Sequence, residues 1–172
     1  TAADIKSIWV GLRPLVKPVQ DNGNNTKALS REHTIVVSRS GLVTVTGGKW
    51  TTYRAMAEDV LQKCFTLELL PSRPAGITNN LPLVGAPAQP VTHRISELQG
   101  LHSYGSEARF VADLPGNSEC LSEGLTEAMV RFAARYEYAF TVEDMLARRS
   151  RLLFLDARKA IALAPRIAAL LQ

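Results

Sequence analysis

The sequence predicts an α+β protein: a few strands and one helix over the first 70 residues, then a predominantly helical C-terminal half built as a small helix bundle. Three observations carry this reading. The run Val43-Thr44-Val45-Thr46-Gly47-Gly48-Lys49-Trp50-Thr51-Thr52-Tyr53-Arg54 reads as a strand, a Gly-Gly turn bearing a lysine, and the first turn of a helix. Pro71-Ser72-Arg73-Pro74-Ala75-Gly76 marks a linker, because proline and glycine both discourage regular structure. Beyond it strand signals almost vanish, and apolar residues recur at helical spacing.

The first strand is expected from Ile5 to Leu12. The polar stretch Gln20-Asp21-Asn22-Gly23-Asn24-Asn25-Thr26 separates it, as a loop, from strands at His33 to Ser38 and Leu42 to Thr46. Arg39-Ser40-Gly41 is a tight connection, so these two strands form a hairpin. A helix follows from Thr51 to Phe65, with Met56, Val60, Leu61 and Cys64 along one face. After the linker, short helices are expected at Val91 to Gln99, with Ile95 and Leu98 on one side, and at Ser106 to Leu114, capped by Ser106 and stopped by Pro115-Gly116. Thr126 to Tyr138 sets Met129, Phe132, Ala133 and Tyr136 at helical intervals. Thr141 followed by Asp144 resembles a capping box, with the shorter Asp in place of Glu. The last helix runs from Arg151 toward Leu171, its stripe formed by Leu152, Leu155, Ile161, Ala164, Ile167 and Leu171, and Pro165 is expected to kink or interrupt it. The domains are thus expected at 1–70 and 81–172, with 71–80 as linker.

Composition narrows the class. The chain has 172 residues, enough for a real core, with an ordinary balance of 46% hydrophobic and 21% charged residues. No apolar run approaches the roughly 18 residues of a membrane span, and no signal peptide is visible. Cys64 and Cys120 lack any C-x-x-C spacing and the three scattered histidines add nothing to them, so no metal site is expected. Cys64 falls on the apolar side of its helix and reads as a buried structural thiol, compatible with a reducing cytosol. The net charge of +4 lies entirely in residues 1–75, which hold ten Lys/Arg against six Asp/Glu. That excess suits an anionic small molecule; it is too mild for nucleic acid, and no aromatic-basic stacking motif accompanies it.

The strand–Gly-Gly–helix turn is where chemistry concentrates. Free backbone N–H groups and the positive end of a helix dipole meet there, which suits an anion or an electron-rich ring edge. The glycines admit a ligand close to the backbone, and Thr51 or Thr52 can cap the helix. It is not a Walker A loop, since the Gly-x-x-x-x-Gly spacing is missing. A turn that uses glycine for geometry alone accounts for the same string. Arg13 precedes Pro14 at the end of an apolar strand, where a guanidinium could grip a phosphate with two parallel bonds or simply face solvent. His33 opens an apolar strand with no visible carboxylate partner and reads as structural rather than as a base. Arg54 is set to pair with Glu58 at i+4. Glu137, Glu143, Asp144, Arg148, Arg149, Arg151 and Asp156 read as a structural salt-bridge network, whose arginines keep the carboxylates ionised.

Taken in order, Gly11-Leu12-Arg13-Pro14-Leu15, Ser30-Arg31-Glu32-His33-Thr34-Ile35-Val36, the Gly41-Leu42 run into Gly47-Gly48-Lys49-Trp50-Thr51-Thr52-Tyr53-Arg54, and Thr141-Val142-Glu143-Asp144-Met145-Leu146-Ala147-Arg148-Arg149-Ser150-Arg151-Leu152-Leu153-Phe154-Leu155-Asp156 resemble the C-terminal portion of the FAD-dependent glycerol-3-phosphate dehydrogenase family. The resemblance covers nearly the whole chain, with residues 66–125 matching only loosely in pattern. It implies that residues 1–70 are the end of an FAD/substrate domain whose sheets are completed by a part N-terminal to this chain. No Gly-x-Gly-x-x-Gly follows a strand and the chain opens at Thr1 without methionine, so it is expected to be a fragment that neither retains FAD nor catalyses alone.

For the parent, the resemblance implies oxidation of sn-glycerol 3-phosphate to dihydroxyacetone phosphate, with electrons passing to quinone. It places Arg13 at the substrate phosphate, Arg31 in the same pocket, and Lys49 between the flavin pyrimidine edge and the substrate. Gly47, Gly48, Lys49, Trp50, Thr51 and Thr52 would face the cofactor, the amides of Gly48, Lys49 and Trp50 nearest a flavin carbonyl oxygen. Trp50 is assigned no side-chain chemistry. No catalytic base is expected in this chain. Arg148 and Arg149 would anchor helices or the catalytic domain. The alternatives are an oxidase that uses oxygen as acceptor and a helical interaction or oligomerisation module. Homodimerisation through open strand edges and a cytoplasmic location, peripheral on the inner face of the membrane, complete the expectations.

Overall fold

The computed structural model describes residues 1–12, 32–87, 89, 91–94 and 96–172. It is mixed α and β with a helical C-terminal part, and it divides into two compact units, Gly11–Leu81 and Thr1–Val10 with Pro82–Gln172.

In the Gly11–Leu81 unit, β1 (His33–Val37) and β2 (Val43–Gly47) form the expected antiparallel hairpin, in register from His33 opposite Gly47 to Val37 opposite Val43. Ser38 ties its connection: the Ser38 N–H donates to the Leu42 carbonyl at 3.0 Å, and its hydroxyl accepts from the Leu42 N–H at 3.1 Å. A 3₁₀ turn at Trp50–Thr52 leads into α1 (Tyr53–Thr66), which packs against β1. Cys64 on α1 is buried, as its place on the apolar face requires, whereas Leu61 at the stripe's margin is half exposed. Arg54 and Glu58 pair at 2.5 Å, with Thr78 donating to the same Glu58 oxygen. The His33 imidazole does have a carboxylate partner: Nε2 lies 2.9 Å from Asp59 Oδ2 on α1. The partner was invisible in sequence because a strand-to-helix contact creates it.

The second unit is organised around α3 (Glu127–Tyr136). Before it come a 3₁₀ helix at Leu101–Glu107 running into α2 (Ala108–Ala112), and a two-stranded ribbon of β3 (Cys120–Ser122) and β4 (Leu125–Thr126). This ribbon is an addition to the all-helical expectation, and its three- and two-residue strands are too short to leave a period-2 pattern. Thr126 caps α3, accepting from the Met129 N–H at 3.4 Å, and Ala128, Met129, Val130, Phe132 and Ala133 are all buried. With Val111, Leu125, Ala139, Met145, Leu146, Ala160 and Ile167 they form the core. The Thr141–Asp144 box is present in both directions at 3.0 Å and opens a π-helical turn at Asp144–Arg149. The expected helix at Val91–Gln99 is absent; the described residues there form bends and a turn closed by Glu97 N–H to the Arg94 carbonyl.

The long terminal helix is two helices, α4 (Leu152–Leu155) and α5 (Ala157–Leu170), broken at Asp156 and continuous through Pro165. Asp156 takes an extended conformation and caps α5, accepting from the Lys159 N–H at 3.1 Å. An N-cap aspartate opens a helix more readily than it continues one. The corner is also held by residues 1–10, which form a 3₁₀ turn at Ala2–Asp4 and an irregular extended stretch in place of the expected strand. Ser7 Oγ donates to the Leu153 carbonyl at 2.9 Å and accepts from the Ala157 N–H at 2.8 Å, and Trp9 meets Phe154 edge-on at 5.3 Å. The segment's main chain thus satisfies a helix corner instead of a sheet.

Candidate functional site

The strand-to-helix turn forms as the sequence indicates. Gly47 and Gly48 adopt φ of +79° and +80°, the left-handed region where side chains are strained. A Cβ on Gly47 would lie 2.6 Å from the Glu32 carbonyl oxygen, so backbone packing excludes it, whereas one on Gly48 would meet the movable end of Met56 at 2.5 Å. Packing at Gly47 and the left-handed backbone at both positions thus explain the glycines independently of any ligand.

The turn then presents donors outward. Among the described residues, the N–H groups of Gly48, Lys49 and Trp50 have no hydrogen-bond partner. Lys49 is exposed and joins no ion pair among them. Thr52 holds the turn from within: its N–H and its hydroxyl both donate to the Lys49 carbonyl, at 3.0 and 3.1 Å. It stands at the N-cap position of α1 without capping it by its side chain, and Thr51 supplies no cap either. Trp50 is 86% exposed and stacks on Tyr53 at 5.5 Å. The result is a short row of open amides beside the exposed Lys49 ammonium, at the N-terminal end of a helix. That arrangement suits an electron-rich carbonyl or phosphate oxygen. Gly47, Gly48, Lys49, Trp50, Thr51 and Thr52 are brought together; Arg13 and Arg31 lie outside the described residues.

The charged set of the helical unit is largely paired within itself. Arg148 bridges Glu143 at 2.7 Å and Asp144 at 2.9 Å. Arg149 instead grips the main-chain carbonyl of Glu137 through Nε and Nη2. The Glu137 carboxyl is pushed up by burial, against the opposing Arg149 charge. Asp144 is pulled down, chiefly by hydrogen bonds from Thr141. A second network was not anticipated. Glu127, buried at the start of α3, accepts from Arg166 Nε of α5 at 2.7 Å and pairs with Arg131 at 3.0 Å, and Arg166 and then Arg131 pull its carboxyl down. The Glu127–Arg131 spacing of i+4 was a readable signal; the link to Arg166 is tertiary.

Two of the three histidines also converge. His93 Nδ1 lies 3.0 Å from Glu97 Oε2, His102 Nε2 lies 3.8 Å from Glu97 Oε1, and the two rings are 4.4 Å apart. They stand on one wall of a cleft of about 720 Å³ that Arg148, Arg149 and Arg151 also line. The spacing H-x₃-E-x₄-H was present in the sequence and went unused.

Comparison with known proteins gives the chain's family. Residues 76–172, more than half of the chain, match the family described as the C-terminal domain of alpha-glycerophosphate oxidase. The chain belongs to this family. Curated relatives extend the likeness over the first part as well. A probable mitochondrial glycerol-3-phosphate dehydrogenase of Dictyostelium discoideum is 37% identical over 96% of this chain and 29% of its own length. One of Caenorhabditis elegans is 36% identical over 91% of the chain and 24% of its own. The mitochondrial glycerol-3-phosphate dehydrogenase of Rattus norvegicus is 35% identical over 98% and 25% respectively. The chain thus spans about a quarter to 29% of the length of these relatives. No solved structure matches at a significant level. Among the described residues, no helix is long and apolar enough to cross a membrane.

Proposed function

We propose that this chain is the C-terminal part of an FAD-dependent enzyme that oxidises sn-glycerol 3-phosphate to dihydroxyacetone phosphate. The observation that carries the reading is the row of unpartnered amides at Gly48, Lys49 and Trp50, with the free Lys49 ammonium beside them, in a chain whose relatives bear the glycerol-3-phosphate dehydrogenase name. These groups fit an electron-rich flavin edge, because their N–H groups are open to donate to a carbonyl oxygen there. Bound FAD would supply the redox chemistry, accepting hydride from the substrate carbinol carbon. The protein's own part is positioning and charge balance. The amides of Gly48, Lys49 and Trp50 donate to the ring edge, and Lys49 offsets negative charge on the cofactor and the phosphate. Arg13, with Arg31, grips the phosphate and so sets the distance of the reacting carbon.

The finer assignments belong to the same proposal. FAD and the electron acceptor are bound by the parent, and residues 1–172 alone are inactive. Quinone is the acceptor, with the parent cytoplasmic or peripheral at the inner face of a membrane and homodimerisation open to it. One observation favours a second reading: the matching family is described by an oxidase, so oxygen in place of quinone is the rival acceptor.

The test is the visible spectrum of the full-length parent during anaerobic titration with sn-glycerol 3-phosphate. Bleaching of a flavin band is expected, and peroxide release on readmitting air would favour the oxidase. A flavin that stays oxidised, or a folded parent without flavin, would sink the assignment.

A further inference from the structure

The convergence of His93, Glu97 and His102 has no part in the proposed reaction. Their side chains bring two imidazole nitrogens and one carboxylate oxygen together, with one donor atom from each lying within 4.8 Å of the others. A tetrahedral cation with ligand bonds of about 2.0–2.2 Å requires its ligand atoms to stand roughly 3.3–3.6 Å apart. The Glu97 carboxylate stands near that spacing from both rings, Oε2 at 3.0 Å from His93 Nδ1 and Oε1 at 3.8 Å from His102 Nε2. All three side chains are about one-third exposed, at 37%, 42% and 31%, which leaves their torsions free to adjust toward a shared ion.

The backbone beneath them is fixed. Glu97 N–H bonds the Arg94 carbonyl at 2.9 Å, and Ser103 N–H bonds the Gly100 carbonyl at 2.9 Å, starting the 3₁₀ helix that carries His102. Three donors therefore come from two frames, an irregular turn and a short helix. Without a cation, one carboxylate serves two imidazoles and satisfies His102 poorly at 3.8 Å, beyond hydrogen-bond range. A cation placed among the three would use all of them.

From this geometry we infer that His93, Glu97 and His102 form a binding site for one divalent transition cation of the zinc class. The donor set decides the class. Two nitrogens and one oxygen suit Zn²⁺, Co²⁺ or Ni²⁺, whereas Ca²⁺ and Mg²⁺ take oxygen ligands. Three protein ligands leave a coordination position open to water on the cleft side. The bound ion links His93 and Glu97 to the 3₁₀ helix, which now meet through the His93–His102 ring contact.

The experiment is calorimetric titration of Zn²⁺ into the full 172-residue chain, with Co²⁺ absorption as a spectroscopic check on imidazole ligation. One ion per chain is expected, with binding weakened at least about tenfold in His93→Ala, His102→Ala and Glu97→Gln. Cys120→Ser controls for the exposed thiol of Cys120 and should bind as the parent chain does. Circular dichroism checks each variant, and His93→Gln and His102→Gln replace any alanine variant that unfolds. No stoichiometric uptake, uptake undiminished in either histidine variant, or loss only in Cys120→Ser would each overturn the site.

Discussion

Removing the Ser7 hydroxyl isolates what the first ten residues contribute. In the folded chain that hydroxyl donates to the Leu153 carbonyl and accepts from the Ala157 N–H, joining α4 to the start of α5. In Ser7→Ala the Ala157 N–H keeps a second acceptor, the Lys6 carbonyl at 3.2 Å, so little is lost there. The Leu153 carbonyl loses its side-chain donor in a partly buried setting. A net hydrogen bond is worth about 0.5–1.5 kcal/mol, and a desolvated group left unmade costs about 1–3, so the expected loss is about 1–2 kcal/mol. With a urea slope of about 2 kcal/mol/M, the midpoint should fall by roughly 0.5–1 M. The chain's two tryptophans are Trp9 and Trp50, so a Trp50→Phe background leaves the fluorescence of Trp9, packed on Phe154, to follow the corner itself. Ser7→Thr retains the hydroxyl and should recover most of the loss. An unchanged midpoint in Ser7→Ala, with Asp156→Ala still lowering it through the lost cap of α5, would show that the first ten residues do not hold the corner.

Three further expectations stand beside it. Gly48→Ala places a Cβ against Met56 at a φ of +80° and should cost about 1–3 kcal/mol in stability, measured by chemical denaturation; a neutral result would refute the geometry of the turn. In the full-length parent, Arg13→Ala should raise the KM for glycerol 3-phosphate strongly while leaving the flavin spectrum intact, and unchanged kinetics would remove the phosphate-anchor assignment. Glu127 and Asp144 have carboxyls held below their ordinary values of 4.5 and 3.8, so their contribution to stability is complete above those values and is lost as pH falls through the depressed folded ones. Denaturation midpoints should therefore decline below about pH 4.5, less steeply in Glu127→Gln, and an identical decline in that variant would refute the assignment.

The β1–β2 hairpin, α1, α3 and the Thr141–Asp144 box were legible because each is written in adjacent residues. Alternating β-branched residues flank a short turn in the hairpin, a 3.6-residue stripe runs along the helices, and the box needs a hydroxyl and a carboxylate three positions apart. The misread elements share a different property. Ile5 to Leu12 looks like a strand from composition, but what its backbone does is decided by an available partner, and here that partner is the corner between α4 and α5. The break at Asp156 was misassigned to Pro165 because proline is the stronger breaker in general. Asp156 prevails because its carboxylate and the Ser7 hydroxyl together satisfy N–H groups that open a new helix.

The candidate site divides along the same line. The glycine-lysine turn could be read because its two glycines are local necessities, both in left-handed backbone and one of them against the Glu32 carbonyl. That same necessity means the glycines cannot themselves argue for a ligand. What the turn offers a ligand, among the described residues, is the open amides of Gly48, Lys49 and Trp50 and a lysine without a counter-charge, and any helix start leaves its first amides open in this way. The histidines make the complementary case. His33 was set aside for lacking a carboxylate and has Asp59, while His93 and His102 were dismissed as scattered and meet over Glu97. In all three, the deciding partner sits on another element or across a turn that sequence periodicity does not describe. Local patterning therefore located the backbone donors of this protein, and tertiary packing determined which of its side chains act together.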